Sequence, residues 1–213
     1  MNMKVIAFNG SPKREGNTCQ AIKTVAGELA MRNIEVEIVH VGNKPIRGCM
    51  ACGQCAKSGD NKCVISDDEV NEWIAMMLAA DGVILASPVY FAGINGTMKS
   101  FLDRAAYVIA HQQGAMRYKV GTALVAVRRA GGSVALDTLH HYIQFFEMLS
   151  PASNYWNIVH GRLPGEVLQD NEGQQIMRVL GRNMAWLMHA VEQGKRNLSL
   201  PDVEEKISTH FIR

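Results

Sequence analysis

The chain has no apolar run long enough to cross a bilayer as a helix, which takes about 20 consecutive apolar residues. It also lacks the three-part layout of a secretory signal, because the N-terminus runs almost at once into a short apolar segment, Val5 to Phe8. Net charge is nearly absent: 22 Lys and Arg face 20 Asp and Glu, a formal +2 that is too small to argue for nucleic acid. No internal repeat, low-complexity tract or linker divides the sequence. These absences predict a cytoplasmic protein with no membrane or nucleic-acid partner. They also predict a main body over 1–195, a cysteine-rich insertion at 42–65 and a C-terminal tail at 196–213. In a reducing compartment the five cysteines read as thiols, metal ligands or redox groups, not as a disulfide frame.

What is present is an ordinary globular composition, 47% hydrophobic and 20% charged over 213 residues, enough for one α/β domain with a full core. Apolar runs at 4–8, 34–41, 82–86, 120–127 and 156–159 read as strands. Helical spacing marks 17–31, 97–110, 134–149 and 174–191. A further helix carries Val70, Trp73, Ile74, Met77 and Leu78 on one face, and Ser66 and Glu69 ahead of it have capping-box spacing. Five strands alternating with five helices predict a parallel sheet covered on both faces. The tail is polar and broken by Pro201, and ends in the apolar pair Phe211 and Ile212; it reads as a frayed terminus or as an arm for a partner subunit.

The first strand leads directly into Asn9-Gly-Ser-Pro-Lys-Arg-Glu-Gly-Asn-Thr18 and then a helix. A strand, a loop of small residues and a helix N-terminus together make an anion site. The free N–H groups around Asn17 to Cys19 face the ligand, Ser11, Asn17 and Thr18 add side-chain donors, and Lys13 and Arg14 add positive charge. Cys19 packs beside this loop. A Walker loop would place Lys where Asn17 stands, and there is no Gly-x-Gly-x-x-Gly run for a dinucleotide. Hydroxyl and amide donors suit a single terminal phosphate such as that of FMN. The bland alternative is a well-capped turn with no ligand. The third strand ends in Ser87-Pro-Val-Tyr-Phe-Ala-Gly93, where Tyr90 and Phe91 offer flat rings and Gly93 allows close backbone approach.

Asn9-Gly-Ser-Pro12 with Gly16-Asn-Thr18, then Ser87-Pro-Val-Tyr90 and Met98-Lys-Ser-Phe-Leu-Asp-Arg104, resembles the NADPH-dependent FMN reductase group of the flavodoxin superfamily over residues 4 to about 190. The resemblance implies a flavodoxin-like fold and FMN, with phosphate on Ser11, Lys13, Asn17, Thr18 and Cys19. It sets the isoalloxazine against Pro88, Val89, Tyr90, Phe91, Ala92 and Gly93. Arg129, Gly131 and Gly132 match the family's third flavin-side loop more weakly. Homodimers or homotetramers are implied as well.

Cys49, Cys52, Cys55 and Cys63 are separated by two, two and seven residues. Two successive Cys-x-x-Cys steps can present three thiolates to one cluster and a later turn the fourth, an arrangement that iron–sulfur sites use. Bare or oxidised thiols and a structural zinc are the other readings. The motif is similar to the compact cysteine motif of iron–sulfur flavoproteins, which implies a [4Fe–4S] cluster beside FMN. The expected function is an FMN-dependent oxidoreductase taking electrons from NAD(P)H or reduced ferredoxin and passing them to a small-molecule or protein acceptor. Because the cofactor carries the chemistry, no side chain is assigned as acid, base or nucleophile. The rivals are a cluster-free reductase of flavins, quinones or azo dyes, a carrier flavodoxin, for which the +2 charge is wrong, and a zinc or redox-sensing module.

Overall fold

A computed structural model describes residues 3–112 and 114–211. In chain order the elements are β1 (Met3–Asn9), α1 (Asn17–Ala30), β2 (Ile34–His40), α2 (Gln54–Ser58), α3 (Val70–Ala79), β3 (Gly82–Tyr90), β4 (Gly93–Ile94), α4 (Gly96–Ile109), β5 (Val120–Val127), α5 (Gly132–Phe145), β6 (Ile158–His160), a 3-10 turn (Glu166–Gln169) and α6 (Asn171–Asn197). Five strands run parallel in the order β2-β1-β3-β5-β6, and β4 folds back antiparallel on β3. This is the flavodoxin-like winding.

The central strands are apolar because both of their faces are covered. Along β1, Ile6 and Phe8 enter one core while Val5 and Ala7 enter the other, as the two-residue period of a strand requires. The first core lies under α3, α4 and α5, where Phe8, Trp73 and Phe101 stack at ring separations of 4.8 and 5.3 Å. The second lies under α1 and α6, around Ile22, Leu29, Leu180 and Met184. The chain leaves β1 outward to β2, then returns past β1 to β3. The switch point therefore falls between β1 and β3, where open α/β sheets bind ligands.

Several element boundaries differ from the sequence expectation. β3 runs on to Tyr90, because Val89 and Tyr90 pair with Ile94 and Gly93. The capping box does not form: α3 starts at Val70 without a side-chain cap on Glu69, whose carboxylate is taken by Lys44. α5 stops at Phe145, and Leu149 bridges Val120 instead of continuing the helix. α6 starts at Asn171, where Asp170 caps the N–H of Gly173 at 2.9 Å. The short α2 lies inside the insertion. The described part of the tail lies without helix or strand beside the turn at 114–117, where Arg117 reaches the carbonyl of Asp202 at 3.4 Å. Phe211 is exposed, and Ile212 lies outside the described residues.

Candidate functional site

The loop after β1 is braced from beneath. Buried Asn9 accepts from the Ser11 N–H at 3.0 Å and donates to the Arg14 carbonyl at 3.1 Å. Ser11 Oγ accepts from the Lys13 N–H at 3.1 Å, and the Ser11 carbonyl meets His40 Nε2 at 2.7 Å. Gly42 passes so close that a Cβ there would stand 2.2 Å from the Ser11 carbonyl carbon. α1 then begins behind an extended Gly16 with no side-chain cap, and its first intrahelical bond joins Gln20 N–H to the Gly16 carbonyl at 3.1 Å. The N–H groups of Asn17, Thr18 and Cys19 thus form the free, partly positive end of the helix.

That end opens into a cleft at the carboxyl ends of β1, β3 and β5. Ser11, Lys13, Asn17 and Thr18 form one wall, and Pro88, Val89 and Tyr90 form the opposite one. The two loops singled out in the sequence therefore meet. Ala126, Arg128, Gly161, Arg162 and Pro164 complete the lining. Lys13, Arg128 and Arg162 are its charged residues and all three are basic, so the cleft is built for an anion.

Other expected residues lie elsewhere. Cys19 is buried in α1, and burial pushes its thiol pKa up. Phe91 and Ala92 form the tip between β3 and β4 in the left-handed region, with φ of 49° and 61°, and Phe91 is fully exposed. Gly93 is in β4. Arg129, Gly131 and Gly132 line an adjoining hollow with Tyr155, Trp156 and His160. Gly131 packs against the β3–β4 hairpin, where a Cβ on it would come within 2.8 Å of the Ala92 Cα and 3.3 Å of the Val89 Cγ1.

Sequence reading missed Arg128, Gly161, Arg162 and Pro164. The available signal was the basic pair Arg128-Arg129 just past the end of β5, of which Arg128 lines the cleft and Arg129 the adjoining hollow. Residues 161–164 carry no motif; they are placed by β6, whose end is fixed by the Gly161 N–H bond to the Val127 carbonyl at 2.9 Å.

The four clustered cysteines line a single small hollow between the insertion and α4, together with Arg104, Tyr107 and Val108. Cys55 Sγ donates to the Tyr107 carbonyl at 3.7 Å. Its thiol pKa is raised, chiefly by burial, with the neighbouring Cys63 and Cys49 adding to the shift. The turns are left-handed at Ala51, Gly53 and Gly59. Asn71 ties down the far end, accepting from the Cys63 N–H at 2.7 Å and donating to its carbonyl at 2.9 Å. As placed, among the described residues no three His, Cys, Asp or Glu side chains converge to ligand distance.

The fold and cleft define a flavodoxin-like protein, and comparison with known proteins gives its family. Residues 3–162 match the family described as NADPH-dependent FMN reductase, and the chain belongs to it. It is similar to an iron–sulfur flavoprotein of Methanocaldococcus jannaschii, at 32% identity over 90% of this chain and 100% of that one. An iron–sulfur flavoprotein of Methanosarcina thermophila is 29% identical over 91% of this chain and 99% of its own. Among solved structures, a WrbA-like flavodoxin from Agrobacterium tumefaciens shares the fold with a TM-score of 0.61 at 15% identity, covering 89% of this chain and 99% of that one. The protein is an FMN-dependent oxidoreductase. No helix among the described residues is long and apolar enough to cross a membrane.

The cleft fits FMN on its own chemistry. An uncapped helix end, the Ser11 and Thr18 hydroxyls and three cations suit a phosphate, and the strand end at Pro88 to Tyr90 offers an apolar wall for a ring.

Proposed function

We propose that this chain is an electron-transfer oxidoreductase that pairs FMN in the cleft with a [4Fe–4S] cluster on Cys49, Cys52, Cys55 and Cys63. NAD(P)H or reduced ferredoxin supplies the electrons, and a small molecule or a redox protein accepts them. The observation that carries the reading is that all four thiols line one hollow. The donor set supports it, since four soft thiolates suit iron–sulfur ligation. The iron–sulfur flavoproteins to which the chain is similar support it as well.

FMN, when bound, supplies two-electron hydride chemistry and one-electron chemistry at its ring. A cluster adds a one-electron store. The chain's own part is to bind and orient. Ser11, Thr18 and the first turn of α1 hold the phosphate, while Lys13, Arg128 and Arg162 offset its charge. Pro88 to Tyr90 set the plane of the ring, and the hairpin tip at Phe91 and Ala92 limits water at its edge. Asn71 and α4 fix the cysteine loop. α4 links the two regions: it starts just after the β3–β4 hairpin and carries Arg104 and Tyr107 into the cysteine hollow. The family setting and composition also support a cytosolic homodimer or homotetramer.

A cluster-free FMN reductase is the second reading, favoured by the separation of the thiols as placed. The test is anaerobic purification of Cys52→Ser and Cys55→Ser. Loss of the broad iron–sulfur absorbance with FMN retained is the expected result. Spectra identical to wild type would favour the cluster-free enzyme.

A further inference from the structure

Arg104 is a fully buried guanidinium, and its surroundings divide its donors unevenly. Its Nη1 and Nη2 groups bond the Asp68 carboxylate, Nη1 also reaches the Arg47 carbonyl at 3.3 Å, and Nη2 reaches the Ile65 carbonyl at 2.9 Å. These bonds tie the two ends of the cysteine insertion to α4. The remaining donor, Nε–H, is buried and has no acceptor. A buried polar group without a partner costs free energy, so such a group needs an explanation. Arg104 lines the hollow shared by the four cysteines, and Cys63 stands beside its guanidinium. A guanidinium keeps its charge at any physiological pH, and the buried Asp68 carboxylate is its counter-ion here.

We infer that Arg104 is a positioning and tuning residue for the cysteine site, donating its Nε–H to sulfur there and holding the site's reduction potential up. The inference rests on the cluster reading and adds a specific role to a residue that supplies no ligand. Reduction adds negative charge to a thiolate-ligated centre. A buried cation hydrogen-bonded to one of its sulfurs stabilises the reduced form more than the oxidised one. Asp68 sets the opposing bias, since its carboxylate offsets part of the Arg104 charge. The pair is thus a potential-setting device as well as a brace.

The two roles separate by sign. Arg104→Gln removes the cation and the Nε–H, so the cluster's reduction equilibrium should fall by roughly tenfold, about 59 mV for one electron. Asp68→Asn leaves the cation uncompensated, and its Oδ1 can still accept from the Val70 N–H as Asp68 does at 3.2 Å, so the potential should rise. A purely structural brace would loosen the loop in both variants and move both potentials in the same direction, which would overturn the inference.

If either variant fails to fold, wild-type protein carrying [15N]arginine answers the question. Electron–nuclear double resonance of its reduced cluster should show a 15N coupling and an exchangeable proton, and an Arg47→Lys control should keep both. A cluster with no arginine coupling would overturn the role of Arg104 alone. Reconstituted wild type with no iron or sulfide would overturn the cluster reading and this inference with it.

Discussion

Asn17 joins two parts of the site. Its Oδ1 accepts from the Gly165 N–H at 2.9 Å, and its amide nitrogen lies where a Cβ on Gly161 would come within 2.9 Å. The side chain therefore locks the start of α1 to the 161–165 loop across the cleft. Asn17→Asp keeps an oxygen for Gly165 but sets a negative charge against the phosphate. FMN binding should weaken by about 1.5 to 3 kcal/mol as charge-assisted hydrogen bonds are lost. Riboflavin, which has no phosphate, should change much less. Titration of apoprotein with both ligands checks this, and unaltered FMN affinity would remove the loop as the phosphate site. Asn17, Ser11 and Thr18 were legible in the sequence because an anion loop has local spacing. Arg128 and Arg162 were not, because only the strand ends bring them to the same cleft.

Helices α1 and α6 are clamped by a carboxylate. Buried Glu28 on α1 receives Arg182 Nε of α6 at 3.1 Å and, at 3.0 Å, Arg32 in the turn that follows its own helix. Gly181 allows this approach, since a Cβ there would stand 2.7 Å from the Glu28 Cβ. The Arg182 hydrogen bond lowers the Glu28 pKa against the effect of burial, and Arg32 adds to it. A depressed carboxylate contributes stability that is fully present above its ordinary value of 4.5 and is lost as pH falls through the folded value. Urea denaturation of wild type and Glu28→Gln should therefore show a constant gap from neutral pH down to mildly acidic pH. That gap should close on acidification below the ordinary carboxylate range. A gap unchanged at low pH would contradict the clamp. The long helical period of α6 was visible in the sequence, but this crossing was not, because Glu28 and Arg182 are 154 positions apart. The same limit explains the mistaken capping box: Glu69 has the right local spacing, but Lys44 from another segment claims it.

The whole chain packs two cores around one sheet and carries two candidate redox sites linked by α4. It also leaves Tyr107 and Phe145 exposed on neighbouring helices, and a tail whose Ile207 and Phe211 are 89% and 94% exposed. A second copy covering these groups would remove them from water. Light scattering at micromolar concentration should give an even multiple of 23.5 kDa, and a monomer would contradict this assembly. The parallel sheet was legible from its alternating elements, and the cysteine loop from its spacing. How close the four sulfurs come was not, because an insertion with a five-residue helix and several left-handed turns has no periodicity to read. The pairing of FMN with a cluster is tested most directly by metal and sulfide analysis of anaerobically reconstituted, full-length protein. About four iron and four acid-labile sulfide for each bound FMN is the predicted result. FMN bound with neither iron nor sulfide would contradict it.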